Sequence, residues 1–173
     1  FAGMTNNRQL LQFSAPHSEN DFSAASGAGQ ISIGDEIVGL ARFRETLVIF
    51  CKDSIFRLAG SSVSDFVLQP VTRNIGCLSR FSIQEIGGDL IYLAPDGLRT
   101  VAGTEKIGDT ELGTISKQVQ PRLNELSANQ LSNVSSHVIR RKSQYRLYYP
   151  TTSGTEANST GLMAVLKRST DTG

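Results

Sequence analysis

Histidine and cysteine are scarce in this chain, with two of each among 173 residues. Acid–base, nucleophilic and metal chemistry therefore has few carriers. His17 lies in the polar stretch Pro16-His17-Ser18-Glu19-Asn20-Asp21, which has the look of a ligand cluster but reads as a solvated loop, since no regular element holds its side chains in register. His137 sits beside Val138 in a predicted strand and reads as a packed or surface histidine. Cys51 follows Val48-Ile49-Phe50 and Cys77 follows Ile75-Gly76, settings that predict buried thiols behaving as small hydrophobes. Their spacing does not require a disulfide, and neither has a Cys or His partner at zinc-ligand spacing. Long apolar runs are missing too: none approaches the roughly 18 residues of a membrane helix. No basic region followed by an apolar stretch opens the chain at Phe1-Ala2-Gly3-Met4. Its start without methionine and its end at Gly173 are expected to bound part of a longer protein.

An excess of either charge is also absent. Seventeen Lys and Arg face sixteen Asp and Glu, a formal net charge of +1. Domains whose main task is gripping nucleic acid carry a clustered basic excess, so the balance speaks against that as the main task. Arg140-Arg141-Lys142 is the one basic run, with Lys167-Arg168 as a second pair. It reads as a hairpin tip, or else as a rim meeting an acidic partner or passing nucleic acid. Gly27-Ala28-Gly29 does not belong to a G-x-x-x-x-G-K-[ST] phosphate loop, and no G-x-S-x-G elbow occurs. Asp35-Glu36 and Asp109 with Glu111 read as exposed charges near strand or helix starts. Asn158-Ser159-Thr160 fits the glycosylation pattern. No catalytic, cofactor-binding or metal-ligating residue is assigned, and the chain is not expected to be an enzyme.

What the chain does have is an internal repeat. The segments 37–60 and 80–103 align without a gap at an offset of 43: Leu47 meets Leu90, Ile49 meets Tyr92, Asp53 meets Asp96, Ile55 meets Leu98 and Gly60 meets Gly103. Each unit reads as a first strand, a tight turn (Arg44-Glu45 or Gly87-Gly88), an inner strand, a second turn (Lys52-Asp53-Ser54 or Pro95-Asp96-Gly97) and a closing strand, Ile55–Leu58 or Leu98–Val101. The inner strands, Leu47-Val48-Ile49-Phe50 and Leu90-Ile91-Tyr92-Leu93, have no polar face and so must be covered on both sides. A third copy runs from Ser136-His137-Val138-Ile139 through an Arg141-Lys142-Ser143 turn to Tyr145–Pro150, then a polar loop from Thr151 to Thr160 and a last strand Gly161–Leu166. A partial copy opens the chain at Gln9–Ser14, ended by Ala15-Pro16. Meanders repeated at about 40–45 residues have the period of propeller blades. The expected class is all-β, an incomplete β-propeller with approximate blades 1–33, 34–75, 76–130 and 131–173. Ile115, Val119, Leu123 and Leu126 have helical spacing, which predicts a short helix inserted over Asp109–Leu126 and interrupted near Pro121.

The string Gly34-Asp35-Glu36-Ile37-Val38-Gly39-Leu40-Ala41-Arg42-Phe43, continued by Leu47–Gly60, resembles the propeller units of the tail nozzle, tail tubular and related tail stabilisation proteins of short-tailed bacteriophages. The stretch Ile75-Gly76-Cys77 leading to Gly88–Leu98 is similar to the following blade, and Phe1–Asn7 through Leu11–Pro16 to the preceding one; the likeness covers about the first three quarters of the chain. It implies a virion tail component that assembles with copies of itself and other tail proteins into a ring. That ring would form the channel through which the genome leaves, with transient contact to phage DNA and no membrane span. The other reading is a propeller-type binding module for a protein or glycan partner.

Overall fold

In a computed structural model of the chain the described residues are 2–107, 121, 123, 130, 133–150 and 159–165. They form an all-β, propeller-like fold: separate antiparallel meanders, none closed into a barrel, with one short helix, α1 (Val101–Ile107). The chain divides into two compact units, Phe1–Arg80 and Phe81–Gly173.

The first unit holds two sheets. One is the three-stranded β1 (Ala2–Met4), β2 (Asn7–Phe13) and β3 (Gly29–Ser32). The other is a four-stranded meander of β4 (Ile37–Phe43), β5 (Thr46–Cys51), β6 (Ile55–Ala59) and β7 (Val67–Thr72), in that order. Val48, Ile49, Phe50 and Cys51 of β5 are fully buried, as a strand without a polar face demands. Ile49 and Cys51 join Phe56 and Leu58 of β6, Ile37 of β4, Leu11 of β2 and Ile33 in one apolar cluster, which welds the two sheets. At about 1.5–3 kcal/mol for each large apolar side chain taken out of water, this cluster outweighs any exposed ion pair in the unit. β7 is not legible in sequence, because Pro70 within it argues against a strand; the proline is accommodated because β7 is the edge of its sheet.

The second unit holds β8 (Gln84–Ile86), β9 (Asp89–Ala94) and β10 (Gly97–Thr100) in one sheet, and β11 (Ser135–Ile139), β12 (Gln144–Pro150) and β13 (Ser159–Val165) in the other. The 43-residue offset holds at the level of pairing. Phe43↔Thr46, Arg42↔Leu47 and Ala41↔Val48 are matched by Ile86↔Asp89, Glu85↔Leu90 and Gln84↔Ile91. Across the next turn Val48↔Arg57, Ile49↔Phe56 and Phe50↔Ile55 are matched by Ile91↔Thr100, Tyr92↔Arg99 and Leu93↔Leu98. Leu90 to Ala94 are all buried, as are Val48 to Cys51, the counterparts of Ile91 to Ala94, while Leu47, the counterpart of Leu90, is half-buried. Gly87 and Gly88 turn between β8 and β9 with φ of 65° and 80°, positions that side chains rarely occupy.

The second copy departs from the first in the length of its first strand and in how it ends. The first strand of the second unit is only the three residues of β8, because Arg80–Ser82 forms a 3₁₀ turn ahead of it. The centre of the next turn is Pro95-Asp96, with Gly97 already paired to Ala94 as the first residue of β10; proline at the second and glycine at the fourth position of a β-turn favour that register. The closing strand stops at Thr100 and Val101 begins α1 rather than ending a strand. Gly103 is therefore inside a helix, while Gly60 follows a strand. Thr100 explains the break: its Oγ1 accepts the Gly103 N–H at 3.0 Å, and the Asp89 carboxylate accepts the Ala102 N–H at 3.1–3.2 Å, so helix donors left open at that end are satisfied by side chains. Most of the helix expected over Asp109–Leu126 lies outside the described residues, though Pro121 and Leu123 are helical.

In the third copy β12 alternates instead of being buried on both faces. Tyr145, Leu147 and Tyr149 are buried, whereas Gln144, Arg146 and Tyr148 are half-buried on the opposite face. Within this unit the 3₁₀ turn and the two sheets are tied by polar contacts. The Tyr145 hydroxyl donates to the Ser82 carbonyl at 2.8 Å, Gln84 Nε2 donates to the Ser136 carbonyl at 3.2 Å, and Ser136 Oγ donates to the Phe81 carbonyl at 2.6 Å.

Candidate functional site

The strongest surface feature is carried by β11, the 3₁₀ turn Arg140–Lys142 and β12. Arg140, Arg141, Lys142 and Ser143 are all exposed. Ser143 closes the turn with φ of 49°, donating its N–H to the Arg140 carbonyl at 3.1 Å. This tight closure leaves three successive cations at the tip of a hairpin, where their side chains meet water. Cross-strand register then sets the face behind the tip. His137, Arg146 and Met163 stand directly opposite one another on β11, β12 and β13, and side chains paired in this way share a face. His137 is exposed and Met163 is 57 % exposed, so this face is open. Arg146 Nη2 donates to Gln144 Oε1 at 3.0 Å, while its Nε is buried and without a hydrogen-bond partner. Tyr148, two residues on, lies on the same face over Gly161, where a Cβ would stand 3.1 Å from the ring.

The segment is segregated in charge. Between Glu125 and Glu156 there is no Asp or Glu, while Arg140, Arg141, Lys142 and Arg146 all fall inside it. Among the described residues no carboxylate lies within ion-pair distance of any of these four.

The other residues singled out in sequence are dispersed. His17 sits in an exposed loop with φ of 62°, beside a shallow hollow lined by Ser14, Ala15, Ser18, Glu19 and Asn20. That loop is organised by Asp21, whose carbonyl accepts the Ala15 N–H at 2.8 Å and whose carboxylate accepts the Ser23 N–H at 2.8 Å; the Ser23 N–H chiefly, with Ser26, holds its pKa below the ordinary value. Gly27 caps a short 3₁₀ turn and Gly29 opens β3. Asp109, Glu111, Lys167, Arg168 and Asn158 lie outside the described residues, while Ser159 and Thr160 open β13. Among the described residues no three His, Cys, Asp or Glu side chains gather as a metal site, and no helix is long and apolar enough to cross a membrane.

Three acidic residues have structural partners that the sequence does not disclose. The sequence presents Asp35 as an exposed charge, yet it is half-buried: Oδ1 accepts the Glu36 N–H at 2.6 Å, and Oδ2 accepts the Asp53 N–H at 3.0 Å and the Ser54 hydroxyl at 2.5 Å. It thereby clamps the β5–β6 turn. Its neighbour Glu36 does pair at the surface, with Arg8 at 2.7 Å. Asp89 caps α1, and Asp96 holds Arg99, whose side chain is 3 % exposed, through contacts of 2.5–3.0 Å. The two cysteines are free and buried, with the Cys77 N–H donating to the Cys51 carbonyl at 2.8 Å. Burial, and then the Asp35 charge, push the Cys51 thiol up to about 12.

The first unit also carries a cleft of about 660 Å³, lined by Leu11, Phe13, Leu40, Leu47, Leu58 and Phe66 with Arg42, Glu45 and Gln12 among the polar groups. Phe13 and Phe66 meet edge to face at 5.4 Å.

No protein-family model matches the chain, and no curated protein sequence does.

Proposed function

We propose that the chain is a structural component of a bacteriophage tail, part of a nozzle or head–tail channel, acting by assembly with copies of itself and with other tail proteins rather than by catalysis. The observation that carries this reading is the repeated meander with one pairing register, whose inner strands β5 and β9 are buried on both faces. Such a unit cannot stand alone; it is stabilised only when covered on both sides, the property that blade-stacking architectures exploit. The Gly34–Gly60 string and its successor supply the tail-protein likeness. The test is immunogold labelling of purified phage particles with an antibody to this chain, together with sizing of the expressed protein. Label at the tail and a closed ring of subunits are expected. Particles that carry no tail label overturn the proposal.

The apolar cleft of the first unit favours a second reading, a propeller-type module that binds a protein or glycan, since apolar walls with a few polar groups are the usual make-up of a ligand site. A glycan array and a pull-down that both return nothing remove it.

A further inference from the structure

We propose that the β11–β12 hairpin, with its Arg140-Arg141-Lys142 tip and the open face centred on Arg146, is a docking surface for the phosphate backbone of nucleic acid. The overall charge balance of +1 conceals it, because the signs are segregated along the chain: four Lys or Arg and no Asp or Glu occupy the stretch between Glu125 and Glu156. Three of the four cations are arginines, whose planar guanidinium takes phosphate oxygens through two parallel N–H bonds. Lys142 ends the 3₁₀ turn, and Arg146 stands two residues into β12 from Gln144, roughly 7 Å along the strand at about 3.3 Å per residue, so tip and face present cations at successive points along one phosphate backbone. The hydroxyls of Ser135 and Ser143 and the ring of Tyr148 accompany the cations along the hairpin.

The choice of nucleic acid over an acidic protein rests on the lack of any Asp or Glu in this stretch and, among the described residues, of any carboxylate paired to its cations. Protein–protein surfaces mix both signs, whereas surfaces that meet nucleic acid are far more positive, because the partner offers no cation to be matched. Tip and face also differ in kind. The tip cations are exposed and contribute long-range attraction, while Arg146 is half-buried, tied to Gln144 and flanked by His137, which fixes its direction.

The surface is independent of the tail reading: a chain that binds DNA but labels no virion keeps this proposal and loses the other. The test is fluorescence anisotropy of the whole chain with a labelled DNA duplex over a series of salt concentrations. Binding should weaken steeply with salt. Replacing Arg140, Arg141 and Lys142 together by serine should reduce the slope of log K against log salt by about 0.9 for each phosphate no longer neutralised, and lower affinity at low salt by roughly tenfold or more. Arg146→Gln should release about one phosphate more. The three tip residues are exposed, so their triple variant is expected to keep the parent melting temperature and decides the matter if Arg146→Gln unfolds. Unchanged binding in the triple variant, absence of binding at low salt, or equal competition by poly-glutamate at matched charge each overturns the proposal, the last in favour of an acidic protein partner.

Discussion

The Tyr145 hydroxyl, on the central strand of the last sheet, donates to the Ser82 carbonyl at 2.8 Å in a site closed to solvent. Ser82 in turn accepts the Leu93 N–H through its Oγ at 3.0 Å, so one serine joins the inner strands β9 and β12. Tyr145→Phe removes this hydrogen bond to the carbonyl while preserving the ring. The expected cost is about 1–3 kcal/mol, read as a lower denaturant midpoint at unchanged slope. An unchanged midpoint would show that this hydrogen bond does not help to hold the two sheets.

Gly76 is fixed by proximity. A Cβ there would stand within bond-like distance of the Lys52 carbonyl. The approach lets the Cys77 N–H reach the Cys51 carbonyl on one side of the β5–β6 turn, while Asp35 and the Glu36 carbonyl grip the other. Gly76→Ala should destabilise the first unit by about 1–3 kcal/mol through forced displacement of backbone. Thermal melting compared with Gly88→Ala, which meets no neighbour within 4 Å, separates crowding from loss of glycine's backbone freedom.

Asp65 gathers the loop after β6. It accepts the N–H groups and hydroxyls of Ser61 and Ser62, and these donors, led by the Ser61 N–H, lower its pKa to about 2 from 3.8. Because the folded value is the depressed one, its contribution is fully present above pH 3.8 and is lost as pH falls through about 2. The melting-temperature difference between the parent and Asp65→Asn should therefore be constant above that window and shrink within it. A difference that does not change with pH would remove Asp65 as the cause.

Both thiols should be silent in the native protein. Cys51 is fully buried with its pKa pushed to about 12, and Cys77 is 1 % exposed. At pH 8 almost no Cys51 thiolate forms, and burial leaves an aromatic disulfide reagent no path to either sulfur. No reaction is expected until denaturant is added, when two thiols should titrate. Rapid native labelling would mean that the first unit opens locally.

The β grammar is legible because it depends on near neighbours. Apolar Val48 to Phe50 and Leu90 to Leu93 announce strands buried on both faces, and Gly87-Gly88 announces a two-residue turn. Part of what cannot be read depends on partners far along the chain. Asp35 finds Asp53 eighteen residues away, and Asp89 finds Ala102 thirteen residues away. Nothing local distinguishes such carboxylates from solvated ones. Arg99 is equally hidden, since a charged side chain in a closing strand is expected outside unless a partner such as Asp96 neutralises it. Thr100 looks like one more strand residue until the helix it caps is in place. The basic hairpin is readable as a run but is diluted by the overall charge, and only the cross-strand register adds Arg146 and His137 to it.

Two adjacent repeats with one pairing register risk exchanging strands during folding, a common failure of repeated sequences. Here the aligned positions Phe56 and Arg99 make such an exchange expensive. β6 in the place of β10 would set a phenyl ring beside the Asp96 carboxylate, and β10 in the place of β6 would thrust a guanidinium among Leu11, Ile33, Ile49 and Cys51. The copies share a backbone template and keep incompatible interiors, so each hairpin recognises its own partner while it forms.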